Sequence, residues 1–177
     1  MKQKIVRIGS FASCHRISNH KGKCHNLHGH NYKYEIGFSY DTDNTVFSEC
    51  NYAIDFGEIK KVYQHWIDLF FDHSVIVNEN DTDVIELAKK INDPTRVLLS
   101  KGDPSVEVIS QMLFALCKCV EVSNNVVKES TAQVTSIKIY ETDSSYCEID
   151  SSMGYRIELT EQFKALLDEH LGTSFSN

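Results

Sequence analysis

Residues 28–40 alternate without interruption. His28, His30, Tyr32, Tyr34, Ile36, Phe38 and Tyr40 are imidazole, aromatic or aliphatic, whereas Gly29, Asn31, Lys33, Glu35, Gly37 and Ser39 between them are small or polar. A period of two marks a strand with one buried face. The alternation also sets two histidines at one end of that face, with their side chains parallel and roughly 6.6 Å apart along the strand. A third imidazole from a neighbouring strand would complete a three-nitrogen set. His15, in Phe11-Ala12-Ser13-Cys14-His15-Arg16, is the obvious donor. Three such ligands leave one position on a zinc ion open, the arrangement of a catalytic rather than a closed structural site. Cys24, in Cys24-His25-Asn26-Leu27-His28-Gly29-His30, is near enough in sequence to act as a reactive thiol beside the ion. As a fourth ligand it would instead close the site, and spacing alone does not decide between the two.

The other elements follow from pattern and punctuation. Residues 4–14 read as the strand that ends at His15, with a bulge or kink at Gly9. Asp41-Thr42-Asp43-Asn44 is a turn. Ile59, Tyr63, Trp66 and Phe70, widened by Val62 and Leu69, form the apolar stripe of a helix over 57–70. A second helix spans 104–121, with Asp103 as N-cap, Pro104 in the first turn and Val108, Ile109, Met112, Leu113, Leu116 and Val120 inward. Residues 78–102 read as a charged surface excursion with a short helix at 83–91. Strands follow at 133–141 and at 145–149 or 153–159, then a short helix at 160–170 and a polar tail. The order β-β-α-α-β-β predicts an α+β fold in one domain over 1–177, an antiparallel sheet with two helices on one face.

Composition narrows the function. A length of 177 residues suits one domain with a real core. No apolar run approaches the ~18 residues of a membrane span, and Met1-Lys2-Gln3-Lys4 opens no signal peptide, so the expected location is cytoplasmic. The six cysteines contain no CxxC pair and are expected as thiols. A net charge of −7 argues against nucleic-acid binding. Arg16, Lys21 and Lys23 nevertheless surround the histidine cluster, which suits a small anionic substrate or, more simply, a solvated loop.

Three further groups carry two readings each. Asp72-His73 follows the first helix; the carboxylate can orient the imidazole and the pair can relay protons to a thiol, or the histidine simply complements the helix C-terminus. Glu141 ends an apolar alternation through Thr135, Ile137 and Ile139, either as a surface group or as the acceptor of paired N–H donors from a guanidine-like ring edge. Ser105 and Glu107 are good residues for a helix start, which is their default role.

Taken together, Phe11-Ala12-Ser13-Cys14-His15-Arg16, Cys24 through Tyr32, Ile54-Asp55-Phe56-Gly57-Glu58-Ile59-Lys60, Asp72-His73, Pro104-Ser105-Val106-Glu107 and Tyr140-Glu141-Thr142 resemble, in content and order, the 6-pyruvoyl-tetrahydropterin synthase / 6-carboxy-tetrahydropterin synthase family of tunnelling-fold (T-fold) enzymes. The resemblance spans about residues 5–149. It implies Zn2+ on His15, His28 and His30, Cys24 as catalytic base with Asp72 and His73 as its relay, and Glu141 anchoring a pterin ring with help from Ser105 and Glu107. It further implies 7,8-dihydroneopterin triphosphate as substrate, a four-stranded sheet, and homohexamers of two stacked trimers whose sheets close into a barrel, with each site at a subunit interface.

The compact Cys24-x3-His28-Gly29-His30 spacing resembles the 6-carboxy branch, which serves queuosine and deazapurine synthesis. It implies a lyase that releases acetaldehyde and triphosphate. A 6-pyruvoyl-tetrahydropterin synthase is the alternative within the family, and a non-catalytic zinc-binding protein is the alternative outside it. A T-fold relative with another reaction, a cyclohydrolase or an aldolase, is a third possibility, and the absence of a further Cys/His ligand set suited to ring opening argues against the cyclohydrolase. Cys14 is a rival thiol, and residues 44–53, the 78–102 excursion and the tail are longer than the family's usual segments.

Overall fold

A computed structural model describes residues 1–43, 49, 51–124, 131–153 and 157–173. Most of the long 44–53 segment, including Asn44 and Cys50, lies outside the described residues, as do residues 154–156 and the last four of the tail. Strands β1 (Lys2–His15) and β2 (His28–Asp41) pair antiparallel over their whole length, from Lys2 opposite Asp41 to His15 opposite His28. Along β2 the expected alternation holds: Tyr32, Tyr34, Ile36 and Phe38 are fully buried. The bulge foreseen at Gly9 is absent, because Gly9 pairs in register with Tyr34. Glycine is needed there for space, since a Cβ would overlap the Tyr34 ring, whose hydroxyl passes over it to donate to Gln64. The irregularity lies instead between Gly37 and Phe38, where β2 meets β5.

The sheet has six strands, not four. β3 (Ser74–Asn78) runs parallel to β1 at Ser13–His15, β4 (Val97–Ser100) runs parallel to β3, and β5 (Gln133–Thr142) and β6 (Ser145–Asp150) extend the antiparallel side, in the order β4-β3-β1-β2-β5-β6. The four antiparallel strands foreseen are therefore contiguous, and two short parallel strands are added at the β1 edge. The segment at 78–102 thus supplies the end of β3, helix α2 and strand β4 rather than a surface excursion alone. Its strands escaped notice because both faces are covered: Ile76 and Leu98 join the main core, while Val77 and Val97 pack on the opposite side, which leaves apolar runs without alternation.

The described residues hold four α-helices, α1 (Phe56–Phe70), α2 (Thr82–Ile91), α3 (Val106–Ser123) and α4 (Glu161–Leu171). Three of them, α1, α3 and α4, bury their apolar sides in the main core with the inner face of β2 and β5. The expectation of two helices on one face is therefore corrected twice, since α2 covers the other face through Val84 and Ala88. Burial of Phe163 and Leu167 anchors α4, each side chain contributing about 1.5–3 kcal/mol. The start of α4 also protects the outer edge of β4: Gln162 bonds to Val97 and Leu99, and Thr160 donates to the Leu99 carbonyl. The edge of Lys2–Phe11 of β1 away from β2 and the outer edge of β6 have no strand beside them among the described residues. Among the same residues no helix is long and apolar enough to cross a membrane.

Candidate active site

The pairing of β1 with β2 builds the histidine cluster. His15 ends one strand, His28 begins the next directly opposite, and His30 lies two residues on, across from Ser13. All three project from the core face at one end of the sheet. Their ring centroids are 4.6 Å (His15–His28), 5.2 Å (His15–His30) and 5.0 Å (His28–His30) apart, and one nitrogen from each falls within 4.8 Å of the others. The outer nitrogens are already used. His15 Nδ1 lies 2.7 Å from the Pro104 carbonyl, and His28 Nδ1 lies 2.7 Å from the Asn26 carbonyl. A carbonyl only accepts, so each Nδ1 carries the proton and each Nε2 keeps its lone pair for the cluster. His15 is 1% exposed, and its Nε2 is buried with no hydrogen-bond partner. Burial lowers its pKa and keeps the ring neutral, with the Pro104 bond opposing. A buried lone pair aimed at two other imidazoles suits coordination to a metal. An all-imidazole set fits zinc among other first-row ions and leaves a coordination position open.

Glu141, on the core face of β5, completes the surroundings. Its Oε1 is 3.5 Å from His15 Nε2 and 3.9 Å from His30 Nε2. It also lines a cleft with Asn31, Lys33, Tyr140, Thr142 and Asp143. A carboxylate that is close to the histidine cluster and open to a cleft can orient a polar ring edge.

Cys24 sits in a short 3-10 turn (Lys23–His25) on the β1–β2 loop, half-buried. Its carbonyl accepts from the Ile17 N–H, and the neighbouring His25 ring bonds to the Ser18 carbonyl. Asp72 and His73 bond to each other at 2.6 Å, and Asp72 also accepts from the Ala12 N–H. The His73 side chain is 81% exposed and its backbone takes φ 55°, a left-handed conformation uncommon outside glycine. No hydrogen bond joins Cys24 to Asp72 or His73 among the described residues. His73 lines a cleft with Ala12, Cys14, His30, Asn31 and Ser74. Cys14 alternates with His15, so it faces away from the cluster, and burial raises its pKa.

Ser105, not Asp103, is the N-cap of α3, and it makes no side-chain capping bond. Glu107 is exposed in the first turn. Several residues that organise the site escaped the sequence reading. The Pro104 and Asn26 carbonyls hold imidazoles, Asp81 pairs with Arg16 at 2.7 Å, and Arg96 donates to the carbonyls of Asp68, Leu69 and Asp72. Backbone carbonyls carry no sequence signal. Asp81 and Arg96 read as ordinary loop charges, and Asp103 reads as a helix cap. With Arg16 paired, Lys21 and Lys23 are the exposed cations of this loop.

A fold of this kind, with its histidines at the sheet end, defines a class of pterin-type T-fold proteins, and sequence comparison agrees. The family model described as 6-pyruvoyl tetrahydropterin synthase matches residues 4–152, and the chain belongs to that family. It is 34% identical over 148 residues to the 6-carboxy-5,6,7,8-tetrahydropterin synthase of Rickettsia bellii, covering 82% of this chain and 99% of that protein. It is 30% identical over 176 residues to the protein of the same name from Helicobacter pylori, covering 97% of this chain and 82% of that one. Among solved structures, a Wolinella succinogenes protein of uncharacterized function superposes with a TM-score of 0.62 at 17% identity, covering 85% of this chain and 98% of the other.

Proposed function

We propose that this chain is a zinc-dependent lyase that converts 7,8-dihydroneopterin triphosphate to 6-carboxy-5,6,7,8-tetrahydropterin, releasing acetaldehyde and triphosphate, in the synthesis of queuosine and related deazapurines. The observation that carries the reading is the convergence of three imidazoles on one point, with the buried His15 Nε2 lacking a hydrogen-bond partner, in a chain similar over most of its length to proteins named for that product. His15, His28 and His30 would hold the ion. Zinc bound there supplies a redox-inert Lewis acid that polarises oxygens of the substrate side chain.

The protein's own residues do the rest. Glu141 accepts paired N–H bonds from the pterin edge and fixes the ring, and Ser105 and Glu107 add polar contacts at the start of α3. Lys21 and Lys23 offer charge to the triphosphate. Cys24, as thiolate, takes a proton from a side-chain carbon, and the Asp72–His73 pair carries it away. No hydrogen bond joins that pair to Cys24 within one chain among the described residues, and in this reading a second copy completes the relay, in an assembly of the homohexameric kind that joins the open edges of β1 and β6.

The test is direct. Zinc-loaded protein is incubated with 7,8-dihydroneopterin triphosphate and the products are identified by mass spectrometry. The expected products are 6-carboxy-5,6,7,8-tetrahydropterin and acetaldehyde. Formation of 6-pyruvoyl-tetrahydropterin alone would overturn the assignment of branch, and no turnover of the pterin would overturn the enzyme reading.

A further inference from the structure

The loop that carries Cys24 contains no long stretch of apolar side chains to pack it down, yet it is tied to the body of the protein at several points, and one carboxylate gathers most of the ties. Asp103 Oδ1 accepts from Ser18 Oγ at 2.6 Å and from Asn78 Nδ2 at 2.8 Å. Its Oδ2 accepts from the Asn19 backbone N–H at 3.2 Å and the Asn19 side chain at 3.5 Å. Ser18 in turn holds the Cys24 turn, since its carbonyl bonds to the His25 ring at 2.7 Å while Ile17 N–H donates to Cys24 O at 2.8 Å. On its other side Asp103 adjoins Pro104, whose carbonyl orients His15. Gly102, at φ 80°, makes the turn that presents Asp103 to the loop. The Arg16–Asp81 ion pair fastens the same loop just ahead of Ser18.

From this geometry we infer that Asp103 is a positioning residue. It fixes the Cys24 loop to the end of β3, through Asn78, and does so from the same short stretch that sets the His15 imidazole. One carboxylate therefore registers the thiol against the histidine cluster. The inference rests on the reading of Cys24 as the proton-transferring group given above. It goes beyond that reading by assigning the thiol's placement to a residue that touches neither substrate nor metal. Outer partners of this sort commonly change activity or metal affinity by about 10–100-fold when removed.

The experiment compares Asp103→Ala, Asp103→Asn and Ser18→Ala with the parent chain. The Asp103→Asn amide keeps one acceptor but turns a donor toward the Asn19 N–H, and Ser18→Ala removes the shortest tie while leaving the carboxylate in place. Two quantities are measured: the rate of Cys24 alkylation by iodoacetamide relative to Cys14 in the same peptide map, and kcat and KM for 7,8-dihydroneopterin triphosphate. The expected result is a relative alkylation rate raised by about ten-fold and kcat lowered by about 10–100-fold, with KM changed by less than about three-fold. Unchanged relative alkylation would overturn the inference, whether or not turnover falls, because a purely structural role lowers activity without freeing the thiol selectively. If Asp103→Ala does not fold, Ser18→Ala decides by the same criteria. Cys24→Ala separates the two levels: if it retains full turnover, the role of Cys24 fails, while the alkylation shift still reports whether Asp103 holds the loop.

Discussion

The Nδ1 atoms of His15 and His28 are committed to main-chain carbonyls, so both tautomers are fixed before any ligand arrives. Asp72, at the end of α1, is held by two donors. Burial pushes its carboxyl up, but the Ala12 N–H, the His73 ring and the nearby Arg96 together bring it below the usual carboxylate range. A carboxyl held below its unfolded value of about 3.9 contributes stability that is complete above that pH and is lost as pH falls through the lower folded value. Asp72→Asn is therefore expected to be destabilising near neutral pH. The difference from the parent chain should shrink below about pH 4, as read by urea unfolding of metal-free protein. A difference that widened on acidification would contradict the assignment.

At the scale of elements, the β3–α2–β4 segment braces the site from outside. Its Arg96 donates to three carbonyls at 2.9, 2.9 and 3.1 Å at the end of α1, including that of Asp72, next to the left-handed His73. Removing this cation with Arg96→Ala leaves those carbonyls without a charged donor and is expected to cost about 1–3 kcal/mol in urea unfolding. Amide exchange should rise at Asp72 and His73 before it rises in β2, and uniform exchange across both would count against a local role. The legibility of these elements divides along physical lines. β2 was readable because one face is apolar and the other polar, and the same alternation exposed His28 and His30. Helix α1 was readable from its stripe of Ile59, Val62, Tyr63 and Phe70. By contrast, Ser74–Asn78 and Val97–Ser100 are short strands covered on both faces, so their sequence lacks the alternation that would mark them. The ties of Asp103 were equally hidden, since they depend on Ser18 and Asn78, distant in sequence and brought together only by the parallel strands.

For the whole molecule, a relay completed between two copies has a consequence that mixing experiments read. Cys24→Ala and His73→Ala, each inactive alone, are expected to recover roughly a quarter of parental turnover when refolded together in equal amounts, because random assembly pairs an intact thiol with an intact imidazole at that frequency. Recovery of none would place the relay within a single chain. The metal claim is more basic still, because the three-histidine set and the closed set that includes Cys24 differ in what a single substitution removes. The deciding measurement is zinc content per chain in the parent protein, Cys24→Ala and His28→Ala after identical loading and dialysis. The account expects one zinc per chain in the first two and a strongly reduced content in the third. Loss of zinc from Cys24→Ala, or none in the parent protein, would contradict it.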